Sequence, residues 1–183
     1  MKKSVLIVVD CQKDFIDGSL GSEEAAAIIP RVVKEVEKTY DKDIEVYFTM
    51  DTHDENYLET REGIILPVKH CLSYSEGWAL PTDLALALKK TKATMVIKDG
   101  FGYANWKDVL RTIYSGEVND ITIVGLCTDI CVISNALILR ALYPNAAIMV
   151  IADACAGTSS KAHEWALEIM RHNHIIVLED VKA

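Results

Sequence analysis

DITIVGLCTDICVISNALILRAL, residues Asp120–Leu142, passes from a short aliphatic and β-branched run into an apolar helical pattern with only a tight turn between. The run Asp120–Gly125 has strand length, and Asp129–Leu142 repeats its apolar residues at helical spacing. A strand that feeds straight into a helix is the unit of a parallel sheet, because parallel strands need a crossover of that length. Outward from this stretch the unit recurs. Further strand-like runs are Ser4–Val9, Ile44–Thr49, Thr94–Lys98, Ala147–Ala152 and His174–Leu178. Most lack the alternation of a one-sided sheet, which predicts strands covered on both faces. Between them, Glu23–Tyr40 sets Ile28, Val32, Val33 and Val36 on one stripe, a shorter helix surrounds Leu84 and Leu88, and Asn105–Tyr114 and Ser159–Arg171 complete the set. The expected fold is a three-layer α/β domain over residues 1–183, a Rossmann-like, mostly parallel six-stranded sheet with helices on both faces.

In such sheets crossovers are right-handed and ligands sit at the carboxyl ends of the strands. The residues just past those ends are Asp10, Asp51 with His53, Lys98, the turn Cys127–Cys131, and Asp153. Segment 54–81, with Gly63, Pro67, His70, Gly77 and Trp78, has no clear periodicity and is too long for an idle loop. It reads as a lid or pocket wall.

Composition narrows the partners. With 27 acidic against 19 basic residues the formal charge is -8, and no Lys/Arg cluster longer than a pair occurs, which argues against nucleic acid and anionic membranes. The apolar run near the N-terminus ends at Asp10, short of a signal h-region of roughly 7–15 residues or a membrane span of about 20, so a cytoplasmic protein is expected. Five cysteines, an odd number with no CxxC pair, argue against disulfide stapling and against a zinc ribbon.

Each candidate site residue has a bland alternative. Asp10 is either a turn or capping residue or a base at the sheet rim. Lys98 is either solvated or a cleft cation that holds a neighbouring thiolate or carboxylate in its charged form. Cys131 is either a small buried hydrophobe or a nucleophile whose thiol pKa is lowered, and its thiolate exposed, near the start of a helix that Thr128 or Asp129 would cap. Cys127 lies in the turn itself, where its backbone matters more than its sulfur. Asp51, His53 and His70 have the ligand types of a zinc, iron or manganese site with open positions.

Taken in order, VVDCQKDF, DTHDENY, VIKDGFGYANW and GLCTDICV resemble the isochorismatase-like cysteine hydrolases, specifically the nicotinamidase branch, over most of the chain from about Val5 to Gly157. The resemblance implies a triad of Asp10, Lys98 and Cys131, with the cysteine attacking an amide carbonyl and passing through an acyl-enzyme. It further implies a cis peptide at Leu126–Cys127 and an oxyanion hole from the backbone N–H groups of Cys127 and Cys131. A divalent metal, zinc first and iron or manganese as alternatives, would be held by Asp51, His53 and His70 and would engage the pyridine nitrogen. Phe15, Trp78 and Tyr103 would wall the ring. The implied activity is deamidation of nicotinamide to nicotinate and ammonia in NAD salvage, by a homo-oligomer. Rival readings are a relative acting on another small amide, a ureido compound or isochorismate, a catalytically idle homologue, and redox sensing through Cys127 and Cys131, with Cys11, Cys71 and Cys155 as further thiols.

Overall fold

The structure, a computed structural model, describes residues 3–113 and 118–179. Strands β1 (Lys3–Val9), β2 (Ile44–Asp51), β3 (Thr94–Lys98), β4 (Val118–Leu126), β5 (Ala147–Ala156) and β6 (Ile176–Leu178) form one sheet in the order β3-β2-β1-β4-β5-β6. Every neighbouring pair is parallel. The sheet is therefore wholly parallel, and most strands extend one to four residues beyond the predicted runs at one end or the other. Strand β6 is shorter than expected.

Helices α1 (Lys13–Ile16), α2 (Glu23–Glu37), α3 (Arg61–Ile65), α4 (Thr82–Thr91), α5 (Trp106–Ile113), α6 (Ile133–Leu142) and α7 (Ser160–His172) fill the crossovers. The last residue of the predicted helix Asn105–Tyr114 lies outside the described residues. Strand periodicity sorts the core into two layers. Val5, Ile7 and Val9 of β1 pack with Leu110, Val132, Leu139 and Met170 on the α5, α6 and α7 side. Leu6 and Val8 pack with Ile28, Val32, Leu84 and Leu88 on the α2 and α4 side. Each such side chain contributes about 1.5–3 kcal/mol when fully buried, so both faces of the central strand hold it in register. Ser22 caps α2 and Ser159 caps α7, each accepting a backbone N–H three residues on.

Strand order reverses between β1, whose crossover leads one way to β2, and β4 on its other side. That switch point opens a crevice at the carboxyl ends of the strands. Val9 pairs with Gly125 and Asp51 with Lys98, so Asp10, Lys98 and the turn after β4 arrive at one level. Segment 54–81 crosses this end of the sheet with a 3-10 turn (Tyr57–Glu59) and α3. It is fastened to the loop after β1: Lys13 N–H donates to the Ala79 carbonyl and Asp14 N–H to that of Gly77, both at 2.9 Å, while Cys71 N–H donates to the Asp14 carboxylate at 2.7 Å. No helix among the described residues is long and apolar enough to cross a membrane.

Candidate active site

Asp10 follows β1 with a positive φ of 46°, a left-handed conformation that aspartate tolerates better than most residues. Thr49 fixes it there. The Asp10 N–H donates to Thr49 Oγ1 at 3.1 Å, and that hydroxyl donates to Asp10 Oδ1 at 2.6 Å. The other oxygen, Oδ2, faces Lys98 Nζ at 2.7 Å as an ion pair but has no aligned hydrogen-bond donor among the described residues.

Lys98 is 4 % exposed, so of its two readings the cleft cation holds. Its ammonium contacts Asp10 Oδ2 at 2.7 Å, Asp51 Oδ1 at 3.1 Å, the Gly100 carbonyl at 2.9 Å and Cys131 Sγ at 3.8 Å. Burial alone would lower its pKa, but the charges of Asp10, Cys131 and Asp51 raise it, and the ammonium stays charged. Asp10, Lys98 and Cys131, far apart in sequence, therefore meet around one nitrogen.

Cys131 corrects two expectations. The thiol is not exposed but 6 % accessible, and burial, with the Asp10 carboxylate adding to it, pushes its pKa well above the ordinary value despite Lys98. Nor does it open an α-helix. Residues Thr128–Val132 form a π-helical turn ahead of α6, with Cys127 at the capping position and no side-chain cap. Thr128 and Asp129 are used elsewhere: Thr128 Oγ1 meets His163 Nδ1 at 2.8 Å, and the Asp129 carboxylate accepts from Thr158 N–H at 2.8 Å and from its hydroxyl at 2.6 Å. Both contacts brace the turn against α7 and the loop before it. Just upstream, the Leu126–Cys127 peptide is cis. Gly125 has φ 120°, and a Cβ there would lie 2.1 Å from the Val9 carbonyl oxygen, so only glycine fits where β4 leaves β1.

On the far side of Lys98, Asp51 Oδ2 faces His53 Nε2 at 3.0 Å and His70 Nε2 at 3.5 Å. One ligand atom from each of Asp51, His53 and His70 falls within 4.8 Å of the others, and all three residues are buried. His70 Nδ1 sits 2.8 Å from the Val68 carbonyl, which can only accept, so Nδ1 carries a proton and Nε2 points its reactive edge into the cluster. Burial raises the Asp51 pKa, but hydrogen bonds from His53 and His70 and the Lys98 charge outweigh it and hold the carboxyl well below its usual range. Two imidazole nitrogens converging on an ionised carboxylate are a donor set that fits zinc or a similar divalent ion.

Glu62 was absent from the sequence reading. Its Oε1 lies 3.8 Å from His53 Nε2 and 3.6 Å from His70 Nε2, and burial and the Asp51 charge raise its pKa. Tyr57 also went unnoticed. Its buried ring lies 4.6 Å from that of His53 and 4.9 Å from that of His70, and its hydroxyl donates to the Leu66 carbonyl at 2.9 Å. Gln12, also missed, holds both backbone groups of Asp51 at 2.8 Å. No spacing rule marks these residues, because they reach the cluster through the path of segment 54–81 or through the turn after β1. Of the expected ring walls, Phe15 lies 5.4 Å from the His70 ring, Trp78 donates from Nε1 to Thr52 Oγ1 at 2.8 Å, and Tyr103 packs 5.3 Å from Trp106.

The model of the isochorismatase domain matches residues 4–180. The nicotinamidase of Schizosaccharomyces pombe is 26% identical over 207 aligned positions, which take in 96% of this chain and 92% of that protein. Among solved structures, nicotinamidase/pyrazinamidase PncA from Bacillus subtilis superposes with a TM-score of 0.85 at 26% identity, covering 98% of this chain and 100% of its own. The pyrazinamidase of Pyrococcus horikoshii, solved in complex with zinc, superposes with a TM-score of 0.77 at 28% identity, covering 97% and 99%.

Proposed function

The chain belongs to the isochorismatase family, and we propose that it is a nicotinamidase-type amidohydrolase, with Asp10, Lys98 and Cys131 as its catalytic residues. One observation carries the reading: the Lys98 ammonium touches Asp10, Cys131 and Asp51 at once, and the other oxygen of Asp51 faces two imidazoles. A reaction centre and a ligand cluster thus share a wall.

An amide carbonyl over Cys131 Sγ would be attacked as the thiol proton passes to Asp10 Oδ2. The N–H groups of Cys127 and Cys131 would receive the oxyanion, each donor contributing about 3 kcal/mol. Asp10 then returns the proton to the leaving nitrogen, and ammonia departs from a thioester. Water, deprotonated by Asp10, adds to the thioester, the sulfur leaves as thiol and the acid is released. Lys98 keeps its charge throughout and balances whichever neighbour is anionic. A divalent ion held by Asp51, His53 and His70 would supply a Lewis-acid contact for a ring nitrogen, and Phe15, Trp78 and Tyr103 would flank the ring. Segment 54–81 serves as a pocket wall of the same domain, and a homo-oligomer is the expected assembly.

Ammonia release from nicotinamide, benzamide and a ureido compound tests this. Nicotinamide is expected to exceed benzamide, which lacks the ring nitrogen, by at least about tenfold in kcat/KM. Equal rates for the two would remove the metal from substrate recognition, and turnover of the ureido compound alone would move the chain to another branch of the family.

A further inference from the structure

Asn135 lies one turn beyond Cys131 on α6, is fully buried, and uses four hydrogen-bonding positions of its amide. Its Oδ1 accepts from Tyr103 N–H at 3.0 Å and from Trp106 Nε1 at 2.9 Å. Its Nδ2 donates to the Phe101 carbonyl at 3.3 Å and to the Cys131 carbonyl at 2.8 Å. An amide offers two donors and two acceptor lone pairs, so this side chain is saturated. These contacts also fix which end is oxygen: an indole and a backbone N–H can only donate, and two carbonyls can only accept.

The segment it holds is the one that leaves β3. Lys98 ends that strand and donates to Gly100; Phe101 and Tyr103 follow at once. Gly102 lies flush on α6, where a Cβ would meet Ile138 Cδ1 at 2.5 Å and Ser134 Cβ at 3.2 Å. The backbone beside Lys98 and the backbone of Cys131 thus have no separate freedom while Asn135 bridges them.

We propose that Asn135 is a positioning residue that sets the loop after Lys98, with its aromatic wall Tyr103, in register with the attacking sulfur. The inference rests on the reading of Cys131 as nucleophile. Its removal would take this partner from the Tyr103 and Trp106 N–H groups and from the Phe101 and Cys131 carbonyls, and let the loop lift from α6. A displacement of about 1 Å at a reacting pair costs on the order of a hundredfold in rate.

The test uses Asn135→Asp, which keeps both acceptor contacts and loses both donations, and Asn135→Ala, which loses all four. Iodoacetamide alkylation of Cys131, followed by mass spectrometry across pH, requires no substrate and so stands apart from the choice of amide. Asp10, Lys98 and Asp51 are the charged groups acting on that thiol and are unchanged in Asn135→Ala, whose midpoint therefore reads geometry alone, whereas Asn135→Asp adds an ionisable group of its own and is compared by kcat. We expect the alkylation pH midpoint to move by half a unit or more, and kcat on the preferred amide to fall about ten- to a hundredfold. The loss should be larger for Ala than for Asp. Midpoint and kcat per folded molecule within twofold of the parent, with only the melting temperature lowered, would reduce Asn135 to a structural residue and overturn the proposal. If neither variant folds, Trp106→Phe, which removes the indole N–H that Asn135 Oδ1 accepts and changes none of the charged groups around Cys131, must shift the same two readouts in the same direction; a folded Trp106→Phe with parental values also overturns it. Normal alkylation in a parent protein that turns over no amide would count against the amidase reading and leave the Asn135 test in force.

Discussion

Around Cys131 each residue of the proposed triad stands at the end of a strand, Asp10 after β1, Lys98 closing β3 and the thiol in the turn after β4, whereas the cluster around Asp51 takes only Asp51 and His53 from a strand end. His70 and Glu62 come to it from segment 54–81. The first pocket is set by sheet register, which the whole core enforces. The second depends on a folded segment fastened by a few hydrogen bonds to Lys13, Asp14 and Gln12. Strand ends thus fix the group proposed to attack at a defined distance, and the loop supplies the side chains proposed as ligands, which a metal ion could itself draw into place.

If this division is right, damage to the first pocket abolishes turnover and leaves metal binding intact. Cys131→Ala should lower kcat at least about a thousandfold, with zinc uptake, read by a dye competition, unchanged. Residual activity near the parental value would end the nucleophile assignment. Next in size is Lys98→Met. It leaves Asp10 and Asp51 buried without their cation, so we expect about a hundredfold loss in kcat and a destabilisation of about 3–5 kcal/mol in urea unfolding. Because Lys98 also touches Asp51, it is the one change in the first pocket expected to weaken metal binding too.

The same division explains what could be read from sequence. Unbroken apolar runs and helical stripes report burial directly, so the parallel sheet and the level of Asp10, Lys98 and Cys131 followed from strand ends alone. Asp51 and His53 were legible for the same reason. The protonation of Cys131 was not. Helix position argued for a lowered pKa, but nearly complete burial and, after it, the Asp10 carboxylate, both tertiary facts, push it the other way. Glu62 had no signal because its place depends on the path of a segment without periodicity. Asn135 resembled any polar residue on a helix, and only the seating of residues 101–106 on α6 shows its role.

Damage to the second pocket should act on metal affinity first and on turnover through it. Glu62→Gln is expected to weaken zinc binding by about ten- to a hundredfold while alkylation of Cys131 stays parental. The pH dependence sharpens this. Burial lowers the His70 pKa, but Asp51 and the Val68 carbonyl, with the Glu62 charge, raise it above its ordinary 6.5. Metal needs the neutral imidazole, so affinity should be constant above that raised pKa and fall about tenfold per unit as pH drops below it. Glu62→Gln removes one of the charges that hold the proton and should move the midpoint to lower pH. A midpoint unmoved in isothermal titration across pH would show that Glu62 does not face His70 in solution.

The smallest expected effect falls on the cysteine nearest the proposed nucleophile in the chain. Cys127 and Cys131 are four apart, yet only one is assigned a reacting sulfur. Cys127 packs against the apolar layer on the α2 side, and burial pushes its thiol up to about 12, so it is neutral at any working pH and has no charge to lend. What it is proposed to lend is its N–H, which alanine also carries. Cys127→Ala should therefore keep kcat/KM within about threefold and cost about 1 kcal/mol or less for the lost sulfur contacts. A folded Cys127→Ala protein that alkylates normally at Cys131 but loses activity a hundredfold would show that the Cys127 side chain takes part, and the strand-end pocket would then depend on two sulfurs.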